Sequence, residues 1–484
     1  MKATLQCRSP VDLPVYLPLG CLLAAVAVTG LWVLAPQAAL LLAALCVLSA
    51  LTLLGLMQPF VLIAALWLVA PFNYAHPIGP AVVRLSEGVT FSMALVVLAR
   101  LVTGDRWLID RIKRRADWLI VFGALGLMAL ATSAGRPNFF NVRFEWLAYG
   151  AFAYSLIFFQ AHHWSWLQRI TLVVLATESV IALGIHVLIG AAGIRLQGIE
   201  GGIEVLRFTP MELREIAGGL YRLAGTLDHK NLLAAFYILL LPGVVLELVR
   251  RGPHRTHPFA WAVLALSLVV LALTDSMTGW GALLLVALLA VLHLRRADLQ
   301  LLAVLLAMPL AWAAIDRFGG SMMFRARQLL PGQQGFTTVT ARMEQWNIGR
   351  QLVAEHAWLG IGRGNFSEFG STFFAHAHNL YLMKIIEMGV AAGAAFTLVL
   401  LAAVLRIWFA LLWHGRCLAR HGAYFRLLGL WLGCVGFLTM NLFDYSYAHP
   451  GLAPLFMAIL GIALASSADL INDCPQPILP DDPV

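Results

Sequence analysis

Residues 340–369 read TARMEQWNIGRQLVAEHAWLGIGRGNFSEF, and residues 375–389 read AHAHNLYLMKIIEMG. The first run is polar and gathers arginines and glycines. The second turns at Leu380 into an apolar stretch that continues to Leu405. A switch from a polar segment to roughly 20 apolar residues marks where a chain leaves water and enters a bilayer. The same switch recurs along the whole sequence. Hydrophobic residues make up 61% of the chain and charged residues 12%, against about half and a quarter in soluble domains. The apolar runs are continuous and do not alternate, which argues against a β-barrel and for an all-α polytopic membrane protein.

Outward from that stretch, spans are expected at Leu13–Leu34, Gln37–Leu56, Pro59–Pro71, Val89–Val102, Trp118–Thr132, Trp146–Phe159 and Ile170–Ala191. Others follow at Asn231–Leu248, Phe259–Leu273, Trp280–Leu292, Leu301–Ala314, Leu380–Leu405, Leu427–Leu442 and Leu452–Ala465. This makes about 12–14 helices, with Pro59–Pro71 short enough to be re-entrant. The loop from Arg100 to Asp117 carries Arg100, Arg106, Arg111, Lys113, Arg114 and Arg115. Its charge places it in the cytoplasm, and locally it reads as a solvated charge run. Alternation then puts residues 193–230 and 315–378 outside and both termini inside. The short basic loops at Arg250–Arg255, Leu294–Asp298 and Arg406–Arg426 also fall inside, in agreement.

The chain reads as one integral membrane domain, 1–484. It has a first outer segment at 193–230, a large outer loop at 315–378 and a disordered Pro-rich tail at 470–484. The first apolar run reads as a retained helix, not a removed signal peptide. Cys7, Cys21, Cys46, Cys417, Cys434 and Cys474 all fall away from the outer loops, so no disulfide is expected. The CxxC and HExxH spacings are absent, so no metal site is expected.

The chemistry concentrates outside. In the first outer segment YRLAGTLDHKN, the Asp228–Asn231 cluster can cap the next helix. Arg222 and Lys230 beside that helix start make either an anion site or plain interfacial snorkelling. In the large loop, a helical pattern runs from Val339 to Ala357. Arg342, Trp346 and Arg350 recur every four residues and share one face. That face can grip phosphate through planar guanidinium groups, or it can simply face water on an interfacial helix. Gly360, Gly362 and Gly364 lack the GKS/T of a phosphate loop and read as a flexible turn. His376 and His378 lie two apart before a span that Asn379 can cap, and an imidazole there can take a proton from a sugar hydroxyl.

These blocks resemble the O-antigen ligase and O-antigen polymerase superfamily of envelope glycosyltransferases. The R-x-x-GT-x4-N-x-x-A block is seen from Arg222 to Ala234. The R-x-x-x-W block is Arg342 to Trp346, and the G-x-G-x-F block is Gly362 to Phe366. The H-[NSQ]-x9-G-x-x-[GTY] signature is carried by His378, Asn379 and Gly389; Ala392 stands where Gly, Thr or Tyr is expected, and Gly393 follows at once. The resemblance implies a GT-C-like enzyme of the bacterial inner membrane that works on the periplasmic face without metal or other cofactor. The donor implied is a glycan on undecaprenyl pyrophosphate, and the acceptor is lipid A–core or another glycan. Membrane lipids are the remaining partners, and no nucleic acid is expected. By position, His378 is implied as the general base, and Arg342 and Arg222 as holders of the pyrophosphate. Lys230, Trp346, Arg350, His376 and Asn379 are supporting candidates. Ligase is the first reading and polymerase of O-antigen or exopolysaccharide units the alternative. A transporter or lipid flippase is the competitor from another class; it would need ionisable residues in mid-span, and Glu178 is the clear acid there.

Overall fold

The computed structural model of the chain describes residues 36–72, 75–78, 81–190, 225–227, 229–251, 258–293, 338–369, 376–420 and 422–473. The expected spans Leu13–Leu34 and Leu301–Ala314, Arg222, most of the first outer segment, residues 315–337 and 370–375 of the second, and residues 474–484 of the tail lie outside these residues. Helices form where the sequence stays apolar, because a peptide group in hydrocarbon must find its partner within its own segment. They are α1 (Pro36–Met57), α2 (Phe60–Val69), α3 (Leu85–Val102), α4 (Arg106–Arg114), α5 (Ala116–Ser133), α6 (Arg143–Phe158) and α7 (Trp164–Gly190). After them come α8 (Lys230–Arg251), α9 (Pro258–Leu273), α10 (Met277–His293), α11 (Thr338–Glu355), α12 (Leu380–Arg420), α13 (Ala423–Met440) and α14 (Leu452–Asp473). Among the described residues, six helices are long and apolar enough to cross a membrane, and five shorter ones are apolar as well. The chain is an all-α polytopic membrane protein. Its one sheet among these residues is a small antiparallel hairpin, β1 (Ala75–Ile78) with β2 (Ala81–Arg84), pairing Ala75 with Arg84.

The hub is α8. Its apolar window is 83% buried, against 33–61% for the other five long spans. Lipid tails give apolar helices no reason to associate, so close packing must do it. Here α13 turns glycines toward α8: a Cβ on Gly433 would stand 2.2 Å from the Leu239 carbonyl oxygen.

Two expectations are corrected. The Arg100–Asp117 loop is not merely a solvated charge run. It contains α4, whose start is capped by Asp105 accepting from Leu108 N at 3.2 Å. From α4, Arg111 is buried and donates to the carbonyls of Ile157 and Phe159, both at 3.2 Å, at the C-terminal end of α6. Arg115 is buried too and donates to Ala465 O of α14 at 3.3 Å. A cation at the carbonyl-rich end of α6 is favourable, and through these bonds both arginines fasten the bundle as well as orient it.

The glycine-rich turn is not flexible. At Gly389 (φ 82°, ψ 167°) α12 breaks into Leu380–Met388 and Val390–Arg420. The break frees carbonyls, and the turn supplies amides: Ile361 N donates to Ile386 O and Gly362 N to Glu387 O, both at 2.9 Å. In return Val390 N donates to Ala357 O at 2.7 Å. A Cβ at Gly389 would lie 2.2 Å from Trp358 O. Positive φ and this contact together predict that Gly389→Ala destabilises the protein by about 1–3 kcal/mol, read as a lowered melting temperature in detergent. An unchanged melting temperature would contradict this account of the break. At Gly393 an added Cβ would fall 2.5 Å from the Ile385 Cα. Gly393, like Gly389, therefore leaves no room for a side chain.

Candidate active site

Four segments converge at one end of the bundle: the start of α8, helix α11, the start of α12, and the 441–451 connection between α13 and α14. The start of α12 is set by Asn379, whose Oδ1 accepts from Leu382 N at 2.9 Å. Its Nδ2 reaches across to Leu442 O at 2.9 Å, and Leu380 N donates to Asn441 O at 2.9 Å. These bonds lock the AHAHN loop to the 441–451 connection. The loop turns sharply because His378 has φ 46°, a left-handed conformation in a non-glycine residue. Such strain persists only where the surroundings impose it, and it concentrates at functional sites.

That turn brings His378 Nδ1 to 3.1 Å from Asp444 Oδ1. An ionised carboxylate only accepts, so Nδ1 carries the proton and Nε2 is left as the free acceptor. The His378 side chain is 27% exposed and that of Asp444 7%, so the ring has an accessible edge and its partner does not. Asp444 also accepts from Tyr445 N at 2.8 Å. Burial pushes the Asp444 carboxyl up. The hydrogen bond from His378 and the fields of His378 and His229 outweigh that and hold it well below the usual carboxylate range.

Arg342 of α11 lies close enough to feel Asp444. Burial pulls its guanidinium down from the ordinary value and the Asp444 carboxylate opposes this. Its Nε is cut off from solvent and has no hydrogen-bond partner among the described residues. A buried guanidinium edge without a partner is a cost that an incoming anion would remove. Trp346, one turn on, donates Nε1–H to Ala377 O at 2.9 Å. It holds the peptide between the two histidines. Arg350 is exposed and bonds Asn347 of its own helix, two turns from Arg342.

His376 packs edge-on against His378, with ring centroids 4.2 Å apart, and against Tyr445 at 5.7 Å. Burial, and then the neighbouring His378, lower its pKa to about 4, so it is neutral at pH 7. In the unfolded chain the value returns to about 6.5. Between those values the unfolded state binds more protons, so stability falls as pH drops from about 6.5 toward 4. His376→Gln is expected to make the loss of melting temperature between pH 7 and pH 5 shallower; an equally steep loss would contradict the assignment. Lys230 turns to the α9–α10 hairpin, with Nζ 3.4 Å from Asp275 O.

Sequence reasoning missed several residues here. Asp444 is the only carboxylate between Glu387 and Asp469; an isolated acid in so apolar a stretch was the available signal. His229 was seen only as part of a capping cluster. Its Nδ1 accepts from Asn231 N at 3.1 Å and its carbonyl accepts from Leu232 N at 3.0 Å. Beneath the dyad lies a buried charge cluster that no local pattern announces. Glu145 of α6 pairs with Arg363 and with Lys384, and Lys384 Nζ also lies 2.9 Å from Glu387 Oε2. Tyr445 donates its hydroxyl to Glu387 at 3.0 Å, and Gly364 N donates to the same carboxylate at 3.3 Å. Two carboxylates and two cations thus tie the glycine turn, α6 and α12 to the residue beside Asp444. Among the described residues, no three His, Cys, Asp or Glu side chains gather as a metal site would require.

Residues 262–397 match the family model described as O-antigen ligase. This match supports the resemblance to the O-antigen ligase and polymerase superfamily. Compared with curated proteins, the chain finds no match. The matched segment runs from α9 into the second part of α12 and contains Arg342, Trp346, Arg363, His376, His378, Lys384 and Glu387. Its partners Glu145, His229 and Asp444 come from α6, from the turn before α8 and from the connection after α13. The family's segment is completed as a site by the rest of the bundle. Similarity to this family suggests glycosyltransferase-like chemistry on lipid-linked glycans in general.

Proposed function

We propose that this chain is an O-antigen ligase-type glycosyltransferase, moving a glycan from undecaprenyl pyrophosphate to an acceptor hydroxyl, with lipid A–core as the acceptor. The observation that carries the proposal is the His378–Asp444 pair, 3.1 Å apart, beside the Arg342 Nε that finds no partner among the described residues. His378 Nε2 takes the proton of the acceptor hydroxyl, and that oxygen attacks the anomeric carbon from the face opposite the pyrophosphate. The bond to the pyrophosphate oxygen breaks, its electron pair leaves with undecaprenyl pyrophosphate, and the configuration inverts. Asp444 holds the Nδ1–H tautomer and steadies the imidazolium that forms. Arg342 offsets charge growing on the leaving pyrophosphate, and the start of α8 offers a second positive region to it. Arg222, outside the described residues, is assigned to the same anion by its place in the R-x-x-GT block. His376, Trp346 and Asn379 position the base; Lys230 and Arg350 flank the site. No step requires a metal.

Two structural features support this reading. The basic helix α4 sits at the Phe158 end of α6, whereas Glu145 and the dyad sit at its Arg143 end. With α4 in the cytoplasm, the site faces the periplasm of the inner membrane and the termini lie inside. Glu178, the mid-span acid that a transporter would use, accepts from Thr226 N at 2.9 Å and lies 2.5 Å from Thr226 Oγ1. It has a structural task, fastening the turn that follows Arg222.

The test uses purified chain, an undecaprenyl-pyrophosphate glycan, and either lipid A–core or no second acceptor, with product size read on a gel. One transfer that depends on lipid A–core is the ligase result. A ladder without lipid A–core means the polymerase, and no transfer with either acceptor would overturn the proposal.

A further inference from the structure

A second site stands at the other end of α8. A cavity of about 480 Å³ lies among α7, α8, α9, α13 and α14. Its deep walls are apolar, with Leu172, Leu240, Val244 and Ile459 among them. Its mouth carries Arg169, Arg251 and Arg426 against a single carboxylate, Glu247. That carboxylate is already taken, accepting from Arg250 Nε at 2.8 Å and from Arg251 Nε at 2.5 Å. Arg426 is different. Its guanidinium lies over the Trp164 ring at 5.9 Å, and its Nε is closed off from solvent with no hydrogen-bond partner among the described residues. Glu247 is 17 residues beyond Lys230 in α8, so the cavity lies about 25 Å along the helix axis from the His378 site. That distance approaches the thickness of the hydrocarbon core, about 30 Å.

We propose that this cavity binds an anionic phospholipid of the leaflet opposite the His378 site. An acyl chain fills the apolar walls and the phosphate meets Arg426, Arg251 and Arg169. Charge and wall chemistry together select this occupant. A free phosphate would leave the apolar volume empty, and a zwitterionic lipid would gain less from three guanidinium groups. Basic pockets between spans on the cytoplasmic side have this chemistry. The site uses none of the residues assigned to transfer, so it stands or falls independently of the proposed function.

The test is a melting-temperature titration of the full chain in detergent with phosphatidylglycerol, phosphatidylcholine or inorganic phosphate. Phosphatidylglycerol is expected to raise the melting temperature of the wild type, and the other two are not. Arg426→Gln should weaken the apparent affinity roughly tenfold, the effect of losing one charged hydrogen-bond partner. Gly243→Leu keeps every charge but fills the cavity, because a Cβ there meets nothing within 4 Å; it should abolish the shift. If Gly243→Leu does not fold, the double change Arg169→Gln with Arg426→Gln takes its place and should also abolish the shift. Equal protection by inorganic phosphate or by phosphatidylcholine, or wild-type affinity in these variants, would overturn the proposal.

Discussion

Replacing Asp444 by asparagine is expected to lower the transfer rate by about 10²–10⁴-fold while donor affinity changes only a few-fold. The size follows from the tautomer. In the native pair the carboxylate accepts from His378 Nδ1 at 3.1 Å, so the lone pair sits on Nε2, at the exposed edge. An asparagine can present an N–H to Nδ1 instead. The imidazole proton then moves to Nε2, and the ring can no longer take a proton from the acceptor. The ring would still be held, since Trp346 and Asn379 fix the loop, so the loss should fall on turnover. Asp444→Asn with unchanged turnover would remove Asp444 from the mechanism. A loss of donor binding equal to the loss of turnover would recast it as a structural residue.

The second large effect is on stability. Lys384→Met is expected to destabilise the fold by about 3–5 kcal/mol. The Lys384 side chain is 0% exposed and those of Glu145 and Glu387 are 1% and 2%. Without the ammonium, two buried carboxylates share only Arg363. The ring faces of Phe396, Tyr445 and Tyr447, all within 5.8 Å of Nζ, would then surround an apolar group. Adding Glu387→Gln removes one stranded charge and should recover part of the loss, because neighbours in one network are not additive. The readout is the melting temperature of the purified protein in detergent. A single variant as stable as the wild type would mean that the cluster contributes nothing to holding the site.

The spans were legible because hydrocarbon imposes one solution on an apolar run. The expected stretches Asn231–Leu248 and Phe259–Leu273 correspond to α8 (Lys230–Arg251) and α9 (Pro258–Leu273). The His378 loop was legible because histidines, Asn379 and Gly389 keep fixed local spacing. What stayed hidden depends on contacts between distant segments. Asp444 is 66 residues from His378, and Glu145 is 239 residues from Lys384; no periodicity links them. The glycine turn was misread for the same reason. Its own residues suggest freedom, and only the break in α12 supplies the carbonyls that fix it. Arg111 likewise belongs to a basic run that sets orientation, yet its side chain turns inward because the carbonyls at the end of α6 lie there.

The most direct test of the account is single-turnover release of undecaprenyl pyrophosphate by His378→Asn, compared with the wild type at equal donor occupancy. Asparagine tolerates the left-handed conformation that His378 adopts, so the loop keeps its shape and only the base is lost. Donor binding is expected within a few-fold of wild type, and release slowed by at least about 10²-fold. Release at the wild-type rate would contradict it, and the assignment of His378 as the base would fall.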